Sequence, residues 1–214
     1  MNDSRTDYLK AIYEEGLDTI VTNKLLAEKL NVAPSSVSEM LSKLNDIGLV
    51  NIIPYKGCKL TDIGIEKCRN IDKIHKLWEV FLIEHLDFTW REAHEDAHLL
   101  EHATSDRLLE RLDKFLNYPK NSPHGGSIPQ KNSNNILQKL KSLNEYEVNE
   151  EVIISSVKED GNLLDYLWSL GLEMQEKIKI ISKAPYEGPI TIIQNNKEIM
   201  ISYKAACQIY VNHI

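Results

Sequence analysis

Residues 22–61 read TNKLLAEKLNVAPSSVSEMLSKLNDIGLVNIIPYKGCKLT, and the turn residues in this stretch decide the fold of the first part of the chain. Thr22-Asn23 can cap a short helix over 24–30, with Leu25, Leu26, Ala27 and Leu30 as its apolar residues. The break Asn31-Val32-Ala33 leads to Pro34, whose fixed φ and missing N–H suit the first turn of a helix. A second helix over 35–44 carries Val37, Met40, Leu41 and Leu44 on one face, and Gly48 closes it. Residues 49–53, the turn Pro54-Tyr55-Lys56-Gly57 and residues 58–61 read as strand, tight turn, strand. Helix, turn, helix and hairpin make a winged helix-turn-helix, whose second helix can enter a major groove while the wing meets the backbone. Ser35, Ser36 and Ser38 stand at the start of that helix, where hydroxyls and free backbone N–H groups can reach phosphates or base edges. Thr22, Lys24, Glu39, Lys43 and Lys56 complete the candidate DNA-contacting set, with Lys56 at the wing tip. The plainer alternative is a trihelical bundle with a hairpin for protein contacts, its serines acting only as caps.

Outward from this stretch, Tyr8, Leu9, Ile12 and Tyr13 have the spacing of one helix face, ending near Gly16. After Gly64 the chain to residue 118 has almost no Gly or Pro, and three helices are expected, roughly over 62–84, 90–104 and 107–116. Residues 119–135 then gather Pro119, Pro123, Gly125, Gly126 and Pro129 with a Lys/Asn/Ser run, which reads as a linker. Beyond it, strands are expected over 152–157, 176–182, 190–195 and 198–203, a helix over 163–170 and a closing helix over 203–211. The expected class is therefore mainly α with a small β domain. Its parts are a winged helix-turn-helix over 1–63, a helical domain over 64–120, a linker over 121–144 and a β-rich module over 145–214.

The chain has 214 residues and a net charge of −7, which excludes a polycation of the histone kind. Between Thr22 and Leu60, however, five lysines against three acids give a local charge of +2. No apolar run approaches the ~20 residues of a membrane span, and the charged N-terminal stretch does not resemble a secretory signal. Cys58, Cys68 and Cys207 form no disulfide framework, so a cytoplasmic location is expected.

Five of the seven histidines, His75, His85, His94, His98 and His102, fall within 28 residues. Residues 71–120 around them hold 7 basic and 11 acidic groups. At 100° per residue His94, His98, Glu101 and His102 project at about 0°, 40°, −20° and 80°, on one side of a single helix. His75 and Glu79 lie one turn apart on the preceding helix. Converging imidazoles and carboxylates supply the nitrogen and oxygen ligands of a divalent first-row metal. His94-Glu95-Asp96-Ala97-His98 also matches the H-E-x-x-H zinc peptidase pattern, with Glu95 as the base. Against an enzyme, Leu99 to Thr104 lacks the extended metzincin pattern, and Glu101 and His102 crowd the coordination position that a hydrolase leaves open. A metal-independent winged-helix regulator holding an organic effector is the remaining rival, opposed by the scarcity of aromatics converging on this face.

Several segments together resemble the metal-dependent repressors related to the diphtheria toxin repressor and the manganese transport regulators. They are Asp7-Tyr8-Leu9-Lys10-Ala11-Ile12-Tyr13, Pro34 to Met40, His75 to Leu82, His94 to His102, Ser105-Asp106, Glu110 to Asp113 and Ser122 to Pro129. The resemblance covers nearly the whole chain, and the tail is similar to that family's SH3-like β-barrel domain. It implies a homodimer that binds operator DNA when metal is bound, with the helical domain as the metal-binding and dimerisation part. It implies a primary site of Asp7, His98, Glu101 and His102 with His75 nearby, and secondary-site positions at Glu79, His94, His124 and Glu159. His85 falls outside these positions and is expected to be structural. Three positions depart from the family: His98 stands where manganese-type members have Glu, Ser122 where some have a Cys ligand, and Lys10 where some two-manganese members have a ligand carboxylate. The family branch points to Mn²⁺ as effector, while the extra imidazole tilts the site toward Fe²⁺ or Zn²⁺.

Overall fold

The computed structural model describes residues 4–17, 19–123, 125–129 and 141–213. Chain contacts divide it into two compact units, Met1–Ile74 with Glu101–Thr104, and His75–Leu100 with Ser105–Ile214.

In the first unit, α1 (Ser4–Glu14) buries Tyr8, Leu9, Ala11 and Ile12. Helix α2 (Asn23–Leu30) begins where Thr22 Oγ1 accepts from Leu25 N, at 3.2 Å, and ends at Asn31 in the left-handed region, φ 52°. Helix α3 (Pro34–Asp46) has Pro34 in its first turn and buries Val37, Leu41 and Leu44. Gly48, at φ 74°, turns the chain into β1 (Val50–Ile53), which pairs antiparallel with β2 (Gly57–Leu60) to form the wing. Val21 and Cys58 exchange two backbone hydrogen bonds of 2.9 Å, rooting the wing beside the start of α2. Gly57 is required for this: a Cβ there would lie 2.1 Å from the Val21 carbonyl oxygen. One apolar core joins α1, α2, α3 and both strands, so the reading helix and the wing share a common support.

Helix α4 (Asp62–Leu86) begins in the first unit and continues into the second. Helix α5 (Trp90–Glu101) stops earlier than the expected residue 104, because Ser105 caps a new helix, accepting from Leu108 N at 3.3 Å. His102 therefore sits in the turn just after α5, and α6 (Asp106–Phe115) follows.

The second unit also contains a six-stranded sheet in the order β3-β8-β4-β5-β6-β7, every neighbouring pair antiparallel. Its strands are β3 (Lys141–Ser142), β4 (Glu151–Val157), β5 (Lys177–Lys183), β6 (Ile190–Gln194), β7 (Lys197–Ile201) and β8 (Ile209–His213). Helix α7 (Gly161–Leu170) is capped by Asp160 and packs Leu163, Leu164 and Leu167 into the sheet core, which also takes in Trp90 of α5.

The closing helix expected over 203–211 is corrected: α8 (Tyr203–Ala206) lasts one turn, and β8 takes the rest. Ile209 and Val211 alternate into the core while β8 pairs with β4, so β-branched residues on a strand held between two neighbours end the helix that Ala205-Ala206 begin. The linker reading is corrected in part as well. Gly126 N donates to Ser155 O at 2.7 Å, Gly125 bridges to Ser156, and Lys141–Ser142 pairs with β8, so parts of 121–144 are anchored structure. Among the described residues no helix is long and apolar enough to cross a membrane.

Candidate metal centres and nucleic-acid interface

The first acid–imidazole group lies within the first unit. Asp7 sits in the first turn of α1, and its Oδ1 is 3.9 Å from His102 Nε2. The same ring nitrogen is 3.8 Å from Oε1 of Glu101, a buried carboxylate. Lys10, one turn after Asp7 on α1, places its Nζ 3.1 Å from both Glu101 oxygens. Two carboxylates and an imidazole at these separations are a hard, borderline donor set suited to a divalent first-row metal. His98 stands one turn before His102 along α5, half-buried.

The second group lies within the second unit. His75 Nε2 is 2.9 Å from Glu79 Oε1 and 3.1 Å from His94 Nδ1, which is itself 3.3 Å from that carboxylate oxygen. Ser122 Oγ donates to the other oxygen, Oε2, at 2.7 Å. Helix α4 supplies His75 and Glu79 at i, i+4, and α5 supplies His94, so the group needs residues of two helices and not one helix face. Glu79, His75 and Ser122 are buried, and one ligand atom from each of His75, Glu79 and His94 lies within 4.8 Å of the other two. Glu159, in the turn before α7, approaches His94 Nδ1 at 4.0 Å. This group is nitrogen-rich, with two imidazoles to one carboxylate, and fits a borderline metal.

The geometry sorts the predicted residues. His75 joins Glu79 and His94; sequence spacing could not show that grouping. His124 lies outside the described residues. His85 is in neither group and instead packs tilted against Phe81 and Phe115, at centroid distances of 5.5 and 5.1 Å. Glu95, the would-be peptidase base, accepts from Arg91 Nε at 2.8 Å. Arg91 also donates to Asp165 of α7 at 2.8 Å, a link that sequence reasoning missed, since only the Arg91/Glu95 spacing carries a local signal. The two carboxylates raise the already high guanidinium pKa further.

On the wing domain, Ser35 and Ser36 are exposed in the first turn of α3. Ser38 is exposed too, but its hydroxyl donates to Pro34 O and accepts from Asn23 Nδ2, each at 3.1 Å. Glu39 and Lys43 form an exposed i, i+4 pair of 2.7 Å, and Lys43 holds the Glu39 carboxyl below its usual range. Lys24 lies 3.8 Å from Glu28, and Lys56 is exposed in the wing turn next to the fully exposed Tyr55.

Three family descriptions match the chain: "Iron dependent repressor, N-terminal DNA binding domain" over residues 1–58, "Iron dependent repressor, metal binding and dimerisation domain" over 61–130, and "FeoA domain" over 141–213. The solved structure of ScaR with bound Cd²⁺ is 36% identical, covers 98% of this chain and 99% of its own, and superposes with a TM-score of 0.81. The chain belongs to the diphtheria toxin repressor family of metal-dependent repressors. A manganese-dependent transcriptional repressor solved in complex with manganese superposes on this family member at a TM-score of 0.86, with 29% identity over 98% of this chain and 100% of that one. An uncharacterized HTH-type transcriptional regulator of Methanocaldococcus jannaschii is 44% identical over 119 residues, 54% of this chain and 94% of the relative. The family is one of DNA-binding repressors and not of enzymes, and its C-terminal module is of the SH3-like kind.

Proposed function

We propose that this chain is a repressor that binds operator DNA as a homodimer when Mn²⁺ occupies its acid–imidazole centres, and so controls metal uptake genes. The observation that carries the reading is the approach of Asp7 to His102 at 3.9 Å. Asp7 stands on the helix whose Leu9 and Ile12 share a core with the reading helix α3. Asp7, His98, Glu101 and His102 form the proposed primary set, and His75, Glu79, His94 and Glu159, with His124, the second. A bound divalent ion supplies positive charge that holds these donors together. Asp7 and His102 hold α1 against the end of α5, and through the common core this fixes α3 and the wing. Ser35, Ser36 and the first-turn N–H groups of α3 then meet phosphate or base edges, joined by Thr22 and Ser38. Glu39 is a candidate acceptor for a base-edge donor in the major groove, while Lys24, Lys43 and Lys56 contact the backbone. Driving such an element from 1:99 to 99:1 requires about 5.5 kcal/mol of differential binding.

The exposed Leu86, Leu99, Leu108 and Phe115 of the helical body support a self-complementary apolar face for the dimer.

A second reading is response to Fe²⁺ or Zn²⁺. The two imidazoles around Glu79 favour it on ligand softness, as does the iron-dependent name of the matching families.

The test is selection of a binding site from a randomised duplex pool in Mn²⁺, followed by affinity measurements with Mn²⁺, anaerobic Fe²⁺, Zn²⁺ and EDTA. Tight binding with Mn²⁺ and loss in EDTA is expected. Equal affinity in EDTA overturns metal control, and tighter binding with Fe²⁺ or Zn²⁺ replaces manganese by that ion.

A further inference from the structure

We propose that Lys10 is a tethered cation that occupies the Glu101 carboxylate in the metal-free chain and competes with a divalent ion for it. Lys10 then sets the metal concentration at which this centre fills. The proposal rests on the reading of Asp7, Glu101 and His102 as a metal centre.

Lys10 and Glu101 are 91 positions apart in sequence, yet Nζ lies 3.1 Å from each carboxylate oxygen. One ammonium therefore faces the whole chelating edge of the carboxylate. The Glu101 side chain is 0% exposed and that of Lys10 is 23% exposed, so the ammonium has a route to solvent and the carboxylate has none. Asp7 lies one turn before Lys10 on α1, so the same helix delivers a candidate ligand and its competitor. His102 Nε2 stands 3.8 Å from Glu101 Oε1 and 3.9 Å from Asp7 Oδ1, which makes the contested carboxylate part of the centre and not a neighbour of it.

Two opposing consequences follow. Without metal, the lysine supplies a counter-charge to a buried carboxylate, and so keeps the donors assembled. With metal, two cations drawn to one carboxylate in a poorly solvated site repel each other. Uptake must swing the lysine outward or tolerate its charge, and either penalty weakens binding relative to a neutral residue at position 10. Sensitivity is thereby tuned by a residue that need not touch the ion.

The experiment uses the full-length protein in a His94→Ala background, which disables the second group, with Mn²⁺ affinity read by calorimetry. Lys10→Met should bind Mn²⁺ about tenfold or more tighter than the parent, while Lys10→Arg, which keeps the charge, should stay within about threefold. Glu101→Gln should weaken binding and abolish the gain from Lys10→Met. If Glu101→Gln weakens binding while Lys10→Met leaves it unchanged or weaker, the competition is overturned and the metal centre stands. If Glu101→Gln has no effect, the metal centre and the proposal fall together. Should Lys10→Met fail to fold, lysine side-chain ¹⁵N resonances followed through a Zn²⁺ titration of the background protein answer the same question. The Lys10 signal, assigned by its absence in Lys10→Arg, should move with the first equivalent, and an unmoved signal at saturation overturns the proposal.

Discussion

Glu101 and Glu79 are both buried carboxylates beside histidines, yet different donors hold them. Glu101 meets the ammonium of Lys10 across both oxygens. Glu79 meets the hydroxyl of Ser122 on one oxygen and the ring nitrogens of His75 and His94 on the other. An ammonium can only donate and repels any arriving cation, whereas a ring nitrogen can turn from hydrogen bonding to ligation without leaving its place. The difference separates two ways of storing a site without its metal: one by a charge that must be displaced, the other by ligands already in reach.

That contrast is open to direct attack. The largest effect is expected from Asp7→Ala, which should reduce metal-dependent operator affinity about a hundredfold or more while leaving fold and dimer intact. His94→Ala should weaken the response by a smaller factor, about tenfold, and leave it metal-dependent. Fluorescence anisotropy with and without Mn²⁺ checks both, and equal losses would erase the distinction between the groups.

Next come the metal-free stabilities. Lys10→Met takes the ammonium away from a buried carboxylate and should cost about 3–5 kcal/mol, as breaking a buried ion pair does. Ser122→Ala removes one hydrogen bond to a charged group and should cost about 1.5–3 kcal/mol. Urea unfolding in EDTA ranks the two, and the reverse order would mean that Glu79 is the more dependent on its partner.

The smallest signal comes from thiol chemistry. Burial pushes Cys58 up to about 11 and Cys68 up to about 12, with Asp72 adding to the latter and Lys10 opposing it. Raised values mean that at pH 8 the reactive thiolate of Cys58 is on the order of one molecule in a thousand, and less for Cys68. Maleimide should therefore label the half-buried Cys207 in the folded chain and spare the other two. Labelling of Cys68 in Lys10→Met would report that the Lys10 side of the first group has opened.

The helix-turn-helix was legible because its signals are local: Thr22 as a cap, the break Asn31-Val32-Ala33, Pro34 in a first turn, Gly48 and Gly57 at turns. The chemistry of the candidate site was legible as composition, since His75, Glu79, His94, Glu101 and His102 are the residues that the structure gathers. The grouping of His75 with Glu79 and His94 was not. Whether His75 faces His94 or the end of α5 depends on how two helices cross, and no spacing along one helix reports that. The partners Lys10 for Glu101 and Ser122 for Glu79 are likewise invisible locally, being 91 and 43 positions away. The strand β8 is hidden for a related reason: Ala205-Ala206 start a helix that local pattern extends to residue 211, and only β4, a tertiary partner, claims Ile209 and Val211 for the sheet.

The stretch Ser122 to Ser127 has the composition of slack chain, yet the main chain of Ser122, Gly125 and Gly126 is tied by three hydrogen bonds. Ser122 N donates to Gly126 O, Gly125 N to Ser122 O, and Gly126 N to Ser155 O. Gly125 admits no side chain, because a Cβ would fall 2.3 Å from the Ser155 carbonyl oxygen. The hydroxyl that meets Glu79 is thus delivered by a pin driven into strand β4. Loop length, usually the most forgiving variable of a protein, is fixed here: inserting one residue between Ser122 and Gly126 would put the ties to β4 out of step with that hydroxyl without altering a single candidate ligand.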